Sequence, residues 1–476
     1  MTAPAQPLTA DAIFIGTGQA APALATALAR RGERVVVFEG GPLGGCCVNV
    51  GCTPTKTLRK SARVAHLVSR ASEFGVHTGP VSIDFAAAMN RVAGIVDASR
   101  VGLTKWMEKT EGLTIVREWA QFVGREERGV VVRGGATTAI APRVYINSGT
   151  RPSAPPIPGL ADVPYLTNET VMALRERPAH LAILGGSYIG LELGQIFRRL
   201  GSDVTIIESG SAVASREDQD ISARITELLA AEGVTLRTGT ALNSVAIAGP
   251  TALTLSLRDG TTGSETTLQV SHLLVATGRL PNTEQLGLEH VGLAVDSRGF
   301  IPVNGRLETE APGIWALGDV NRRGAFTHTS YQDHDIVLAN HTGGARTADG
   351  RVTTYAMFTD PPLGRVGLSE TDARTLMAEG RRFLSASHEM KFVSRAKEES
   401  ETVGVIKVLV DADTERFVGA TLLGIGADEI VQIIGAMMAA DAPYQVLRDA
   451  LPVHPTVAEF FPTILGKLAP LATAAT

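Results

Sequence analysis

Two stretches of the chain share one pattern of apolar and polar positions. Residues 11–39 contain an apolar run (AIFIG), a helical stretch (PALATALARRG) and a second apolar run (RVVVFE). Residues 179–208 repeat this order with LAILG, IGLELGQIFRRLG and DVTIIE. Short apolar runs separated by a helical stretch are typical of parallel strands joined by a crossover helix. The pattern therefore predicts two βαβ units and an α/β fold with two nucleotide-binding domains.

Three segments mark boundaries between the predicted domains. The proline-rich segment RPSAPPIPG separates the two βαβ units, and further boundaries lie near LLVATGRLPNT and near the polar segment GGARTADGR. Beyond the last one, strand-like runs (VIKVLV, VGATLLG) alternate with a helix-like run (ADEIVQIIGAMMAA). This alternation predicts a C-terminal α+β domain.

Composition and charge narrow the classes of protein. The 476 residues, 44% hydrophobic and 20% charged, suit a globular protein of about three domains. The net charge of −5 is dispersed, which argues against a nucleic-acid partner, and the pair Arg198–Arg199 is interpreted as a solvated face. Because no apolar run approaches the length of a membrane span and the N-terminus lacks the features of a signal peptide, we expect no membrane partner.

The first βαβ unit carries a glycine-rich turn. Gly16, Gly18 and Ala21 form G-x-G-x-x-A directly after the first apolar run, and Glu39 ends the second. Glycines at these positions permit the tight turn and close approach to a pyrophosphate, which the helix N-terminus attracts. Glu39 is placed to accept a hydrogen bond from a ribose 2′-OH.

The second unit carries a variant of the same turn. Gly185, Ser187 and Gly190 form G-x-S-x-x-G, and Glu208 ends the following strand. A carboxylate at this point favours a free ribose 2′-OH over a 2′-phosphate, which predicts NADH in preference to NADPH. Two alternatives stay open: Glu208 faces solvent, or the nearby Arg216 serves a phosphate.

The cysteines lie in one short segment. Cys46, Cys47 and Cys52 are the three cysteines of the chain. A metal site requires about four ligands, and no further cysteine pair or nearby histidine supplies them, so we predict no metal. A reversible disulfide requires two sulfurs, one of which can be a low-pKa thiolate. Inert buried thiols are the alternative, and the clustering itself indicates a reducing cytoplasm.

The segment around these cysteines matches a specific motif. It has the pattern G-G-x-C-V-N-V-G-C-x-P-[ST]-K and here reads GGCCVNVGCTPTK. On this motif and the two turns, the chain resembles the flavoprotein disulfide reductases, which include dihydrolipoamide dehydrogenase, glutathione reductase and mercuric reductase. The resemblance covers nearly the whole chain. It implies an FAD-binding domain (1–154 and 276–347), an NAD(P)-binding domain (155–275) and a dimerisation domain (348–476), the first two Rossmann-like.

The resemblance also implies roles for individual residues. Cys52 becomes the thiol in contact with the flavin, and Cys47 the more exposed interchange thiol of a Cys47–Cys52 disulfide. Lys56 lies near flavin N5 and pairs with Glu192, while Tyr188 covers the nicotinamide pocket. The remaining implied FAD and nicotinamide contacts are Gly45, Cys46, Ala120, Ser148, Gly149, Gly278, Gly318 and Asp319.

Cys46 and the histidine segment near the C-terminus differ in how they follow the family pattern. Cys46 departs from the family pattern, which usually has threonine there, so a Cys46–Cys52 disulfide stays open as an alternative. The segment LPVHPTVAEFFP contains His454 and Glu459 in the family's H-P-T-x-x-E arrangement. A histidine held by a carboxylate suits acid–base work on thiols. In the family this pair completes the partner subunit's active site, which implies a homodimer; taken alone, His454 has a structural interpretation.

The runs YAMFTDPPLGRVGLSE and HPTVAEFFPTILGKL are most similar to the mercuric-reductase-like branch, which includes reactive-chlorine-resistance flavoproteins. His454, where mercuric reductases typically have tyrosine, and the ending APLATAAT without a cysteine pair argue against mercuric reductase itself. The sequence leaves the oxidant open among oxidised thiols, reactive chlorine or hypothiocyanite-type species, quinones, and metal ions such as Cu(II) or Hg(II). Dihydrolipoamide dehydrogenase or another small-disulfide reductase is the first alternative, and a redox-sensing flavoprotein without turnover is the second.

Overall fold

A computed structural model describes residues 6–473. The strands up to residue 152 are β1 (Leu8–Thr9), β2 (Ala12–Ile15), β3 (Val35–Phe38), β4 (Leu113–Val116), β5 (Ala120–Glu126), β6 (Gly129–Gly134), β7 (Thr137–Ala141), β8 (Val144–Ile146) and β9 (Thr150–Pro152). The helices of this part are α1 (Ala21–Ala29), α2 (Gly45–Asn49), α3 (Cys52–Ser69) and α4 (Phe85–Glu108).

The middle of the chain continues with β10 (His180–Leu184), α5 (Tyr188–Arg199), β11 (Asp203–Ile207), α6 (Gln219–Ala231), β12 (Thr235–Arg237), β13 (Thr240–Gly249), β14 (Ala252–Asp259), β15 (Glu265–Val270) and β16 (His272–Val275). It is followed by β17 (Arg279–Pro281), β18 (Ile314–Ala316) and α7 (Thr327–His341).

The C-terminal part contains the strands β19 (Thr354–Met357), β20 (Leu363–Gly367), β21 (Phe383–Glu389), β22 (Val405–Asp411), β23 (Phe417–Leu423) and β24 (Ala469–Pro470). Its helices are α8 (Glu370–Met377), α9 (Ser394–Glu398), α10 (Ala427–Ala439), α11 (Tyr444–Arg448) and α12 (Phe461–Leu465).

The first βαβ unit forms the centre of a parallel sheet with the order β18-β8-β2-β3-β4. Alternate residues of β2 enter different cores: Ile13 and Ile15 pack on one face, Ala12 and Phe14 on the other. Both faces of this strand are therefore buried, as its uninterrupted apolar sequence requires. The predicted unit β2-α1-β3 is confirmed.

The second unit, β10-α5-β11, is confirmed as well. It lies in a parallel sheet with the order β12-β11-β10-β16, beside an antiparallel sheet of β13, β14 and β15. The chain then returns to the first unit, because β17 pairs with β9 and β18 pairs with β8. The C-terminal part is an antiparallel sheet with the order β19-β20-β23-β22-β21-β24 and its own helices.

One hydrophobic core connects the three parts: it includes Leu58 of α3, Leu181 of β10 and Met357 of β19. The interpretation of Arg198–Arg199 as a solvated face is wrong for Arg199. Its side chain is 6% exposed and binds Glu232 at 2.7 Å and also Asp360. The packing of α5 against the C-terminal part buries this guanidinium, and two carboxylates compensate its charge. Among the helices of residues 6–473, none has the length and apolar character that crossing a membrane requires.

Candidate active site

A cavity of about 3050 Å³ lies between the two glycine turns and the cysteine segment. Most of the predicted site residues line it: Gly16, Gly18, Glu39, Gly45, Cys46, Cys47, Cys52, Lys56, Ala120, Ser148, Gly149, Gly185, Ser187, Tyr188, Glu192, Glu208, Gly278 and Asp319. Five do not: Ala21, Gly190, Gly318, His454 and Glu459. Ala21 and Gly190 belong to the two glycine motifs, Gly318 directly precedes Asp319, and His454 and Glu459 lie in the C-terminal part.

The first turn is braced by Asn147, which the sequence analysis did not identify. Gly16 has φ +91°, and a Cβ there would lie 2.5 Å from the Asn147 carbonyl oxygen. A Cβ on Gly18 would lie 2.7 Å from Asn147 Oδ1, which accepts a hydrogen bond from the Ala21 amide at 3.1 Å. Glycine is therefore required at these positions by Asn147, which directly follows β8 and is far away in sequence.

The polar groups around this turn face the cavity. The Glu39 carboxylate accepts hydrogen bonds from the Thr17 amide at 2.9 Å and the Gly41 amide at 2.8 Å, which fix it beside the turn. Thr150 donates to Asp319 at 3.0 Å, and burial raises the pKa of Asp319. Ser148 Oγ is buried without a hydrogen-bond partner in residues 6–473. A glycine turn, a held carboxylate and a free buried hydroxyl fit a dinucleotide such as FAD.

The second turn has the same construction. Gly185 has φ +112°, and a Cβ there would lie 2.5 Å from the Ala276 carbonyl oxygen. The Glu208 carboxylate accepts hydrogen bonds from the amides of Gly186 and Gly210, both at 2.7 Å. Glu208 therefore faces the turn and not solvent. Arg216 is exposed and lines the same cavity.

Cys52 begins α3, and the structure brings it together with Cys47. The three cysteines are free thiols. A hydrogen bond from the Cys47 thiol is the main cause that lowers the pKa of Cys52 to about 6; Thr327, whose Oγ1 lies 3.1 Å from Cys52 Sγ, and Lys56 add to it. The same hydrogen bond raises the pKa of Cys47. At neutral pH this arrangement holds a Cys52 thiolate and a neutral Cys47 thiol.

Cys47 and Cys52 lie on different helices, and both line the cavity. Cys52 is the first residue of α3, whereas Cys47 lies within α2. Their relative exposure beside a bound flavin stays a prediction. Cys46 has a different environment from both. Burial raises its pKa, and Arg279 Nη2 lies 3.7 Å from its sulfur.

Lys56 and Glu192 are in contact across α3 and α5. Lys56 Nζ lies 2.8 Å from Glu192 Oε2, and Glu192 Oε1 accepts a hydrogen bond from the Phe358 amide at 2.8 Å. Lys56 Nζ also lies over the Phe358 ring, 4.5 Å from its centroid. Phe358, which belongs to the C-terminal part, therefore fixes both members of the pair, and no local sequence signal identifies it.

His454 and Glu459 are hydrogen-bonded to each other, with Nδ1 2.7 Å from Oε2. The His454 side chain is 75% exposed, so its Nε2 edge is directed away from the chain's own core. Exposed apolar residues precede it in sequence, among them Leu451 and Val453. This is a surface that a partner could cover.

Two family models match most of the chain. The family model described as pyridine nucleotide-disulphide oxidoreductase matches residues 10–333, and the dimerisation domain of these proteins matches residues 353–464. These matches support the predicted α/β fold of two dinucleotide-binding domains with a C-terminal dimerisation domain, and the latter indicates a homodimer.

Individual relatives span nearly the whole chain. It is 34% identical over 454 residues to RclA of Escherichia coli strain K12, a probable pyridine nucleotide-disulfide oxidoreductase, covering 94% of this chain and 97% of that one. It is 37% identical over 455 residues to mercuric reductase of Streptomyces lividans, covering 94% of each. The solved Cu(II) complex of the HOCl-induced flavoprotein disulfide reductase RclA from Escherichia coli superposes with a TM-score of 0.85 at 33% identity, covering 96% of this chain and 100% of that chain. The predicted fold class is thereby confirmed.

Proposed function

The chain belongs to the pyridine nucleotide-disulphide oxidoreductase family, and we propose that it passes electrons from NADH, less readily from NADPH, to a Cys47–Cys52 disulfide. At the coarser level it is an enzyme, a flavoprotein disulfide oxidoreductase of the RclA and mercuric reductase type that uses FAD and NAD(P)H. The observation that carries the proposal is the Cys52 sulfur, which lines the cavity with a lowered pKa and a thiol donor beside it.

The residues that would hold the cofactors follow from the turns. Gly16, Gly18, Glu39, Ser148 and Asp319 would bind FAD, and Gly185, Ser187 and Glu208 would bind the nicotinamide dinucleotide. Bound FAD would supply the carrier for two electrons between nicotinamide and sulfur. We retain the domain bounds 1–154 with 276–347, 155–275 and 348–476 as part of this proposal.

Cys47 and Cys52 have different roles in the proposed reaction. Two electrons and one proton convert a Cys47–Cys52 disulfide into a Cys47 thiol and a Cys52 thiolate. The protein favours this product, because Cys47 and Thr327 hydrogen-bond to the Cys52 sulfur and Lys56 supplies positive charge. On a disulfide acceptor, the Cys47 sulfur would give up its proton and attack one acceptor sulfur, which releases the first acceptor thiol. Cys52 would then attack the Cys47 sulfur, which re-forms the Cys47–Cys52 disulfide and releases the second thiol.

His454 would donate the proton that the reduced acceptor takes up. Glu459 holds the imidazole at Nδ1 and leaves Nε2 free. Since neither residue lines the cavity of its own chain, we propose that they serve the cysteines of the second subunit in a homodimer.

For the acceptor we propose a small oxidant that reaches the thiols from solvent. The first candidates are Cu(II) and reactive chlorine or hypothiocyanite-type species, because the relative RclA is solved with Cu(II) and described as HOCl-induced. A low-molecular-weight disulfide such as lipoamide is the second candidate, because the His454–Glu459 hydrogen bond suits protonation of a leaving thiolate. We also propose a cytoplasmic location, where clustered thiols stay reduced.

The test is a panel of acceptors with NADH and purified protein. Cu(II), Hg(II), hypothiocyanite, lipoamide, glutathione disulfide and a quinone are compared by kcat/KM, with Cys47→Ser as the control for reactions that bypass the thiols. A preferred acceptor that loses its turnover in Cys47→Ser supports the proposal. A protein that binds no FAD, or whose flavin neither NADH nor NADPH reduces, refutes it.

A further inference from the structure

A second, smaller pocket lies beside the large cavity and has no part in the proposed electron transfer. Its volume is about 290 Å³, and its walls come from the segment before α7, from α7 itself and from the segment that leads into β19. Phe326 and Thr354 line both this pocket and the large cavity, so the two spaces share a wall. The charged residues that line it are Arg323, Asp349 and Arg351, and we call it the arginine pocket.

Arg351 has hydrogen-bond donors that face no partner. Its side chain is 11% exposed, and its Nη2 binds Asp333 Oδ1. Its Nε and Nη1 are buried and have no hydrogen-bond partner within residues 6–473. A buried charged donor without a partner is costly, so these two nitrogens favour a ligand that brings acceptor oxygens into the space beside them.

Asp333 does not supply the missing acceptors. Its Oδ2 accepts hydrogen bonds from the Gly318 amide at 2.8 Å and from Asn321 Nδ2 at 3.2 Å, and its Oδ1 is the atom that binds Arg351. Both oxygens of this buried carboxylate are therefore occupied. Gly318 directly precedes Asp319, so Asp333 also connects the arginine pocket to the turn that would bind FAD.

The second guanidinium, that of Arg323, is paired with a carboxylate that a ligand can replace. Arg323 Nη1 lies 2.7 Å from Asp349 Oδ1, and the Asp349 side chain is 64% exposed. Such exposed ion pairs contribute little to stability, so water solvates Asp349 at small cost when it leaves Arg323. Arg323 is then able to donate to a ligand in the pocket that it lines.

The chemistry of these walls favours a phosphate group. Guanidinium is the cation whose planar donors match the oxygens of phosphate, and two guanidiniums from different segments line one small space. A tetrahedral group has oxygens in several directions and is able to accept from both side chains at once, which a planar carboxylate does less well. One bridging water molecule, with a share of about 30 Å³, would fill only a small part of the pocket.

We propose that the arginine pocket binds a phosphate group, either free phosphate or the phosphate of a small ester. The group takes the place of Asp349 at Arg323 and accepts hydrogen bonds from the unpartnered donors of Arg351. The inference is independent of the proposed function, because the pocket requires neither the cysteines nor a nicotinamide.

The test measures dissociation constants by calorimetry, for inorganic phosphate in one arm and for glycerol 3-phosphate in the other. The protein carries FAD and saturating NAD+, so that the probes do not enter the large cavity, and ionic strength is held constant because salt screens exposed charges. We expect saturable binding of at least one probe, with one site per chain. Tighter binding of the ester assigns the site to a phosphate ester, and equal or tighter binding of inorganic phosphate assigns it to the free ion. Saturable binding of neither probe overturns the proposal.

The first variant is Arg323→Gln, which removes one guanidinium from a partly exposed position. It should raise Kd at least about fivefold, because a charge-assisted hydrogen bond to phosphate is lost. The matched control is Arg346→Gln, which removes the same charge from an exposed position between α7 and β19 outside the pocket, and Kd should stay within about twofold. Equal effects of the two substitutions would show that net charge alone attracts phosphate, and they would overturn the site.

The second variant, Asp349→Asn, should change affinity in the opposite direction. Phosphate no longer displaces a carboxylate from Arg323, so Kd should fall about three- to tenfold. Asp335→Asn on α7 removes the same charge from an exposed position outside the pocket and should leave Kd within about twofold. An unchanged or higher Kd in Asp349→Asn contradicts the exchange at Arg323, and this pair decides the question if Arg323→Gln does not fold.

Discussion

At the scale of single residues, three thiols within one short segment have three environments. Cys52 has a lowered pKa, Cys47 donates to it, and Cys46 is raised in pKa by burial beside Arg279. The difference arises from tertiary contacts, since Cys52 meets Thr327 and Lys56 whereas Cys46 lies beside Arg279. This difference leads to distinct expectations for each substitution.

The first prediction concerns the absorbance of the flavin. Cys52→Ser should lose both the long-wavelength band of a thiolate against flavin and the turnover of the acceptor. Cys47→Ser should keep the band and lose turnover, and Cys46→Ser should keep both. Visible spectra of the three variants measure this. Loss of the band in Cys46→Ser, with normal turnover in Cys47→Ser, would instead assign the disulfide to Cys46 and Cys52.

The second prediction is the pH dependence of that band. Hydrogen bonding from Cys47 lowers the pKa of Cys52 to about 6, so the thiolate is present above that pH and is protonated below it. In the reduced protein the band should therefore disappear with a midpoint near 6 as pH falls. A midpoint near the ordinary thiol value of about 8.5 would show that Cys47 and Thr327 do not stabilise the thiolate.

The third prediction concerns Glu208 and the choice of nicotinamide. A carboxylate beside a 2′-phosphate is repulsive, so kcat/KM should favour NADH roughly 5- to 150-fold. Glu208→Gln should reduce that ratio mainly by improving NADPH. Arg216→Gln is the matched control: if it selectively impairs NADPH, Arg216 contacts the phosphate. A wild-type preference for NADPH would contradict the assignment of Glu208.

At the scale of elements, α3 is the helix that connects the thiols to the rest of the molecule. It begins at Cys52, carries Lys56 one turn later, and continues with Arg59 and Arg63, which both bind Asp360 of the C-terminal part. Arg199 of α5 binds the same carboxylate. The carboxylate of Asp360, between β19 and β20, thus holds the helix that presents the Cys52 sulfur.

The fourth prediction tests this network with Asp360→Asn. Burial opposes ionisation of Asp360, but Arg199 and Arg63 outweigh it and hold its pKa below the ordinary value. Removing the charge takes away the carboxylate that these buried guanidinium groups share and leaves Arg199 with Glu232 alone, which should lower the free energy of unfolding by about 3 kcal/mol. Because the folded-state pKa is depressed, this contribution is present above the ordinary carboxyl pKa and is lost as pH falls through the folded value.

The control for this prediction is Asp97→Asn on α4, whose ion pair with Arg100 is exposed. It should change the free energy of unfolding by no more than about 0.5 kcal/mol. Urea unfolding followed by tryptophan fluorescence compares the two variants. Equal decreases in the two variants would show that the buried ion pairs of Asp360 contribute no more to the free energy of unfolding than an exposed pair does.

At the scale of the whole molecule, the proposed site draws on two chains. The dimerisation domain indicates a homodimer, and His454 with Glu459 lies on an exposed surface away from the chain's own cavity. The acid–base role proposed for this pair requires a partner subunit that brings its thiols to it. The arrangement predicts complementation between inactive subunits.

The fifth prediction is that mixing His454→Ala with Cys52→Ser protein restores disulfide turnover. A hybrid dimer has one complete site, so random exchange of subunits should give up to about a quarter of the wild-type activity. The control mixes His454→Ala with the double variant Cys52→Ser, His454→Ala, which assembles no complete site. Full activity in a monomeric variant would exclude the shared site.

The sequence by itself determined the two βαβ units, the glycine turns and the cysteine motif. These features depend on neighbours within one or two turns of chain: apolar periodicity sets the elements, and the positive φ that Gly16 and Gly185 adopt permits the turns. They could be predicted because strand and helix spacing and backbone sterics are local properties. The domain bounds and the roles assigned to the site residues stay predictions.

Only the tertiary structure decided which distant side chains complete the site. Thr327 reaches Cys52 from the start of α7, Phe358 fixes Lys56 and Glu192, and the buried Glu217 receives Tyr188. It also buried Arg199, against expectation. These contacts depend on how α3, α5 and the C-terminal sheet pack together. Neither hydrophobic period nor motif spacing encodes which polar groups such packing brings within hydrogen-bond distance.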